Sequence, residues 1–287
     1  MLTASPPNND LRIQLIMQHY YGAQHDLDQL VENHLFVICP NNSGSTLLKN
    51  LLATSNNTWN LAKEGQHTFG FSGPCTRQIA GGGLIWSTRS EWIEKLTNEN
   101  AYNWAITRQA WYFSAFSHNP QAAVFVTKAP PFLLNVQLLK KNFHNPKFIF
   151  MIRNPYAVIE GIYRRRRRSK APKNGDIRLI ASQHIVNCLA QQKKNIEQHG
   201  SENIFFTYED MCDRPLHIEK RLSEWFPALS DLCLRQTVSV KKTYNEPLRN
   251  MNSQQIAQLT HDDIDVINSI LREHEPLLAH FGYSLMA

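Results

Sequence analysis

The chain is short of the features that mark several large protein classes. No apolar run among its 287 residues approaches the length needed to cross a bilayer; segment 147–152 is typical of the longest. The first ten residues are polar and contain proline, without the basic start and apolar stretch of a secretory signal. This predicts a cytoplasmic protein with no membrane partner. The five cysteines, Cys39, Cys75, Cys188, Cys212 and Cys233, form no C-x-x-C pair and no zinc-ligand spacing. An odd number in a chain of this size argues for reduced thiols. The twelve histidines make no H-E-x-x-H or related pattern, so no metal site is expected.

What remains is an ordinary globular balance, 42% hydrophobic and 19% charged, enough to build a core without cross-links. The formal net charge of +6 favours an anionic partner without selecting one. Five consecutive arginines, Arg164 to Arg168, are the densest charge. On a helix they point about 100° apart, so at most two could face one site. With no recognition motif nearby, they make a nucleic-acid partner a poor expectation.

Residues 1–9 read as disordered, and 10–20 as a helix with Asp10 as its N-cap. Together 1–33 form an expected N-terminal extension, and 34–287 a single domain. Within it, short continuous apolar runs at 34–39, 123–127, 148–152 and 204–208 alternate with helical stretches. Helices are predicted at 45–54, 101–117, 132–142, 156–168, 176–199, 215–225 and 261–280. Unbroken apolar runs mark strands buried on both faces. The alternation predicts an α/β fold, a three-layer doubly wound parallel sheet of the P-loop nucleotide-binding type. The glycine-rich stretch 65–89 is a loop, either a lid or a plain connection. The helical spacing of Trp104, Trp111, Tyr112 and Phe116 reads as core.

The strongest local signal is Leu35-Phe-Val-Ile-Cys-Pro-Asn-Asn-Ser-Gly-Ser-Thr-Leu-Leu48. A buried strand, a polar turn and a new helix aim backbone N–H groups at one point, which is an anion site. The nucleoside-triphosphatase pattern G-x-x-x-x-G-K-[ST] does not fit, since it would place Cys39 at its first glycine and Ser45 at its lysine. Two further predicted strands end in a cation, at Lys128 and at Arg153, and a fourth runs into Tyr208-Glu-Asp-Met. Cations at neighbouring strand ends beside a phosphate loop point to a polyanionic ligand.

Segment Asn42-Ser-Gly-Ser-Thr-Leu-Leu48 resembles the 5′-phosphosulfate loop of sulfotransferases that use 3′-phosphoadenosine-5′-phosphosulfate (PAPS). The resemblance implies that Ser43, Gly44, Ser45, Thr46 and Leu47 surround the 5′-phosphate. Lys128 matches the family's lysine at the transferring group. Arg153-Asn-Pro155 matches its 3′-phosphate motif, and Tyr208-Glu-Asp-Met its nucleotide-side tyrosine segment. Two positions depart: Asn42 stands where the family carries Lys or Arg, and Gly161 where it carries a serine.

For the acceptor base, Glu64 is similar to the glutamate of the tyrosylprotein and related bacterial branch, and His67 is the other candidate. The activity so implied is sulfuryl transfer from PAPS, without metal, to a hydroxyl or amine on a small molecule or peptide. A non-catalytic binder of PAPS or of its product 3′-phosphoadenosine-5′-phosphate (PAP), or a kinase-like phosphotransferase, are the alternatives. All of this requires the tips bearing Ser43–Thr46, Lys128 and Arg153 to converge.

Overall fold

Strand β1 (Asn33–Ile38) shows how the chain builds its layers. Alternate side chains leave a strand on opposite faces. Leu35 and Val37 accordingly join one core with Leu47, Leu48, Leu51 and Leu52 of helix α1 (Ser45–Leu52). Phe36 and Ile38 join the other, with Trp111, Phe132, Phe143 and Phe148. Because both faces are covered, the strand is apolar throughout, and residues 35–38 are wholly enclosed.

The computed structural model describes residues 31–79, 82–116, 122–169, 175–240 and 244–287. The expected disorder of 1–9 and helix at 10–20 lie outside them. The chain runs from β1 and α1 to β2 (Thr58–Asn60), α2 (Ser90–Thr97), α3 (Trp104–Phe116) and β3 (Val124–Lys128). It continues with α4 (Val136–Asn142), β4 (Pro146–Ile152), α5 (Pro155–Arg167), α6 (Ile177–His199) and β5 (Ile204–Thr207). Then follow α7 (Tyr208–Asp213), α8 (Pro215–Trp225), β6 (Val238–Val240), β7 (Tyr244–Glu246), α9 (Asn252–Ile256), α10 (His261–Leu271) and α11 (Glu275–His280). The first five strands form one sheet in the order β2-β3-β1-β4-β5. All its pairings are parallel. Strands β6 and β7 make a separate antiparallel pair. Among the described residues no helix is long and apolar enough to cross a membrane.

The α/β sheet expected from the apolar runs is therefore present, with differences at particular residues. The predicted helix at 132–142 is divided. Pro130 and Pro131 open a 3-10 turn, Pro130–Leu134, and the α-helix starts only at Val136. Pro276 similarly interrupts the helix expected over 261–280; proline lacks the N–H that would continue the ladder. Tyr208 is not the last strand residue but the first of α7, because Thr207 and Asp210 form a capping box. The glycine-rich stretch holds three 3-10 turns, Gly65–His67, Thr76–Gln78 and Trp86–Thr88.

Register sets the position of the site. Val37 lies opposite Lys128 on one side of β1 and Ile149 on the other. Thr207 lies opposite Ile152. The carboxyl ends of β1, β3, β4 and β5 thus lie along one edge, and strand order reverses at β1. Such an edge is where open parallel sheets hold ligands.

Candidate functional site

After β1 the backbone turns sharply twice. Asn42 adopts φ 58° and Gly44 φ 85°. Asparagine tolerates the left-handed region better than most residues. Position 44 admits only glycine: a Cβ there would lie 2.5 Å from Cδ2 of Tyr208. The turns deliver the chain to α1, whose first amides receive no side-chain cap and which has no acidic residue in its first turn. Both features leave the N-terminus open to an anion. Asn41 Oδ1 accepts a hydrogen bond from Trp86 Nε1 at 2.9 Å, bracing the turn from the glycine-rich stretch. Ser43 is wholly enclosed, and its hydroxyl has no partner.

The second and third strand tips meet this turn, as the sequence predicted. Lys128, 3% exposed, ends β3, and its Nζ lies 2.6 Å from Glu64 Oε1. Oε2 of Glu64 accepts from Gln66 Nε2 at 3.1 Å and lies 3.5 Å from His67 Nδ1. Burial pushes the Glu64 carboxyl up, but the charge and hydrogen bond of Lys128 outweigh it and hold the group below its usual value. Burial lowers His67, so its imidazole is neutral at pH 7. Its Nε2 is enclosed without a hydrogen-bond partner.

Arg153, at the end of β4, is 6% exposed. It donates through Nη1 to the Asn42 carbonyl at 3.1 Å, through Nε to Asn252 Oδ1 at 2.7 Å and through Nη2 to Gln255 Oε1 at 2.7 Å. Its guanidinium also covers the ring of Tyr208 at 4.2 Å, close enough for cation–π attraction. The Tyr208 hydroxyl donates to the Arg249 carbonyl at 3.0 Å and accepts from the Met251 amide at 3.2 Å. Segment 249–255 is therefore tied across the site by Tyr208 and Arg153. Glu209 holds its far side, accepting from the Asn154 amide, the Asn252 side chain and the Tyr283 hydroxyl.

These groups surround a cleft of about 870 Å³, within the range of ligand sites. Gly44, Ser45, Thr46, Leu47, Glu64, His67, Lys128, Arg153 and Tyr208 all line it. Ser43 alone of the predicted residues does not; it is wholly buried within the turn. Arg77 and Arg164 to Arg166 add positive charge, and Glu64 is the one acidic residue of the lining. A second cleft of about 620 Å³ shares Gln66, His67 and Arg77 with the first and adds Phe69 and Phe71.

Four contributors carried little sequence signal. Gln66 links Glu64 to Thr76, accepting from its amide and its hydroxyl at 3.0 Å each. Asn252 and Gln255 lie about a hundred residues from the arginine they bind. Lys49 is buried at 2% exposure and donates to the carbonyls of Leu61 and Ala62, just ahead of Glu64. Burial and the nearby Lys128 push its ammonium down to about 8. Its only signal was a lone charge within the leucines of α1.

Comparison with known proteins bears on the family and the fold. The model of the Sulfotransferase family matches residues 34–227. No curated protein sequence matches the chain. The sulfotransferase domain of the Synechococcus PCC 7002 olefin synthase superposes with a TM-score of 0.54 at 18% identity, covering 89% of this chain and 96% of that one. Sulfotransferase STF1 of Mycobacterium tuberculosis H37Rv gives 0.54 at 13% identity, over 87% and 82%. The sulfotransferase of Alicyclobacillus acidocaldarius gives 0.51 at 14%, over 88% and 96%. Likeness at such identities concerns the fold. The family match spans every strand of the parallel sheet and every strand tip of the cleft, so the chain belongs to the sulfotransferase family.

Proposed function

We propose that the protein moves a sulfuryl group from PAPS to a hydroxyl or amine acceptor. The observation that carries this reading is the convergence of the β1–α1 turn, Lys128 and Arg153 on one cleft with a single acid. A donor with phosphates at both ends of its nucleoside needs two separated cationic positions. The turn and Lys128 form one, and Arg153, at the end of β4, the other. The turn is suited to a phosphate: it has uncapped helix amides and a glycine whose missing Cβ permits close approach.

The acceptor oxygen or nitrogen forms a bond to sulfur as the sulfur–oxygen bond to the 5′-phosphate breaks. The electron pair of the broken bond stays on the phosphate oxygen, and the acceptor proton passes to a base. Lys128 is assigned to the charge that grows on the leaving phosphate, where fixed charges act most strongly. That assignment has a consequence for Glu64. When Lys128 turns to the donor, Glu64 loses the charge that holds its carboxyl low. Burial, the largest influence on it, then raises its proton affinity. Glu64 thus becomes a better base when the donor is in place. His67 is assigned a positioning role, because its Nδ1 faces Glu64 and its Nε2 is enclosed.

Asn42 and Gly161, the two departures from the family pattern, favour a second reading: a PAP or PAPS binder without turnover. One experiment separates the two. Transfer of 35S from labelled PAPS into cell extract is followed alongside calorimetric binding of PAP. Binding and transfer, with transfer lost in Lys128→Ala, are expected. Binding without transfer would leave the binder, and the absence of binding would remove both readings.

A further inference from the structure

The β1–α1 turn contains no cation of its own: residues 40 to 46 are Pro, Asn, Asn, Ser, Gly, Ser and Thr. A guanidinium nevertheless reaches it. Arg165, on the exposed face of α5, donates through Nη1 to Oδ1 of Asn42 at 3.1 Å. Residue 161 lies on the same face of α5, one helical turn earlier. There a Cβ would lie 3.3 Å from Nδ2 of Asn42, tighter than ordinary packing. Gly161 therefore leaves the space in which the Asn42 amide rests against α5. The Asn42 carbonyl, in turn, is held by Arg153. Asn42 is gripped by two arginines, one from the end of β4 and one from α5.

The neighbouring arginines are engaged differently. Arg164 is paired with Glu160 of its own helix at 2.7 Å, which neutralises its charge locally. Arg167 lies over the ring of Tyr163 and outside the cleft lining. Arg165 lines the cleft and has no carboxylate partner among the described residues.

We propose that Arg165, docked on Asn42 in the space left by Gly161, supplies from α5 the positive charge that the turn lacks, acting on the transferring end of the donor. This rests on the PAPS reading above. Residues 42, 161 and 165 then form one unit: glycine makes room, asparagine positions, and arginine carries the charge. The bonds made and broken are those already given. Arg165 stabilises the electron pair left on the 5′-phosphate oxygen and takes no proton.

The test is single-turnover transfer of 35S from PAPS into cell extract, with enzyme in excess, beside calorimetric PAP binding. Arg165→Ala is expected to slow transfer on the order of 10²-fold, as loss of one preorganised charge does, while PAP affinity falls less than about tenfold because the charge acts mainly in the transition state. Arg165→Lys should recover most of the rate. Asn42→Ala should slow transfer similarly, and the two changes combined should do no more than either, since they disable one unit. Arg167→Ala should transfer as the parent does. Thermal melting of each variant shows that it is folded. Parent-like transfer by Arg165→Ala, or fully additive losses in the double variant, would overturn the proposal. A parent protein that neither binds PAP nor transfers sulfur would instead sink the donor assignment itself, a result read before any variant is made.

Discussion

The ammonium of Lys128 lies 2.6 Å from Oε1 of Glu64, and the lysine is the more enclosed partner, its side chain 4% exposed against 24%. The two ends of this pair therefore respond differently to mutation. Glu64→Gln leaves a nearly buried cation without its counter-charge, so it should lower stability more than Lys128→Met, which leaves a carboxylate that still reaches water. Breaking a fully buried pair by removing one partner costs about 3–5 kcal/mol; the partial exposure of Glu64 reduces this here. Both variants should lose transfer, by roughly 10²- to 10³-fold. Urea denaturation of the two checks the order, and a less stable Lys128→Met would contradict it.

The proposed pairing of Arg153 with the far end of the donor predicts a change in ligand preference. The parent protein should bind PAP more tightly than adenosine 5′-monophosphate, which lacks the 3′-phosphate. Arg153→Ala should erase that preference, a loss of roughly 10- to 100-fold for one charge-assisted contact. Calorimetry with both nucleotides measures it. A variant that still distinguishes them would place the 3′-phosphate elsewhere.

Gly44 gives a test of the turn itself. A Cβ at φ 85° is strained and meets Tyr208 at 2.5 Å. Gly44→Ala should be destabilised by at least about 1–2 kcal/mol from the backbone alone. It should also bind PAP weakly, because the ring of Tyr208 must move. Unchanged melting and PAP affinity would show that the turn is built differently.

Lys49 predicts a pH dependence. Its ammonium titrates near 8 in the folded protein against 10.5 for the unperturbed group. Between those values the unfolded chain carries the extra proton. Stability therefore rises with pH across that window, and is lost again as pH falls from 10.5 toward 8, by at most about 1.4 kcal/mol per pH unit. Lys49→Met removes the group from both states. The difference in stability between parent and variant, followed by urea denaturation from pH 7.5 to 10.5, should shift toward the parent as pH rises. A flat difference would mean that Lys49 is not desolvated as its burial implies.

Most of the sheet was legible because its strands are enclosed on both faces. Val124 to Val126 and Phe148 to Ile152 are buried without a gap, so their sequences are apolar without a gap. Strand β2 was not legible. It is three residues at the sheet edge, Thr-Trp-Asn, too short for any period to emerge. Strands β6 and β7 are equally short. Within the site, Lys128 and Arg153 could be read because strand ends place them, whatever the loops do. Asn252, Gln255 and Gln66 could not. Each is an ordinary amide whose role comes from a partner distant in sequence or across a loop. The contact between Asn42 and Arg165 was hidden for the same reason. The arginine run was visible, but which of its members faced the cleft depended on the phase of α5.

Strand β1 is flanked on both sides by strands made much later in synthesis: Asn33 lies opposite Val124, and His34 opposite Pro146. The turn that follows it leaves the ribosome well before either neighbour does. Until residue 128 has emerged, β1 has no strand to pair with, its second neighbour follows only at 146–152, and until residue 255 has emerged, Arg153 lacks Asn252 and Gln255. On the PAPS reading, a chain that stops short of α9 is expected to hold nucleotide weakly, because Arg153 lacks the two amides that fix it. Nucleotide affinity is then expected to report that the segment carrying α9 has docked.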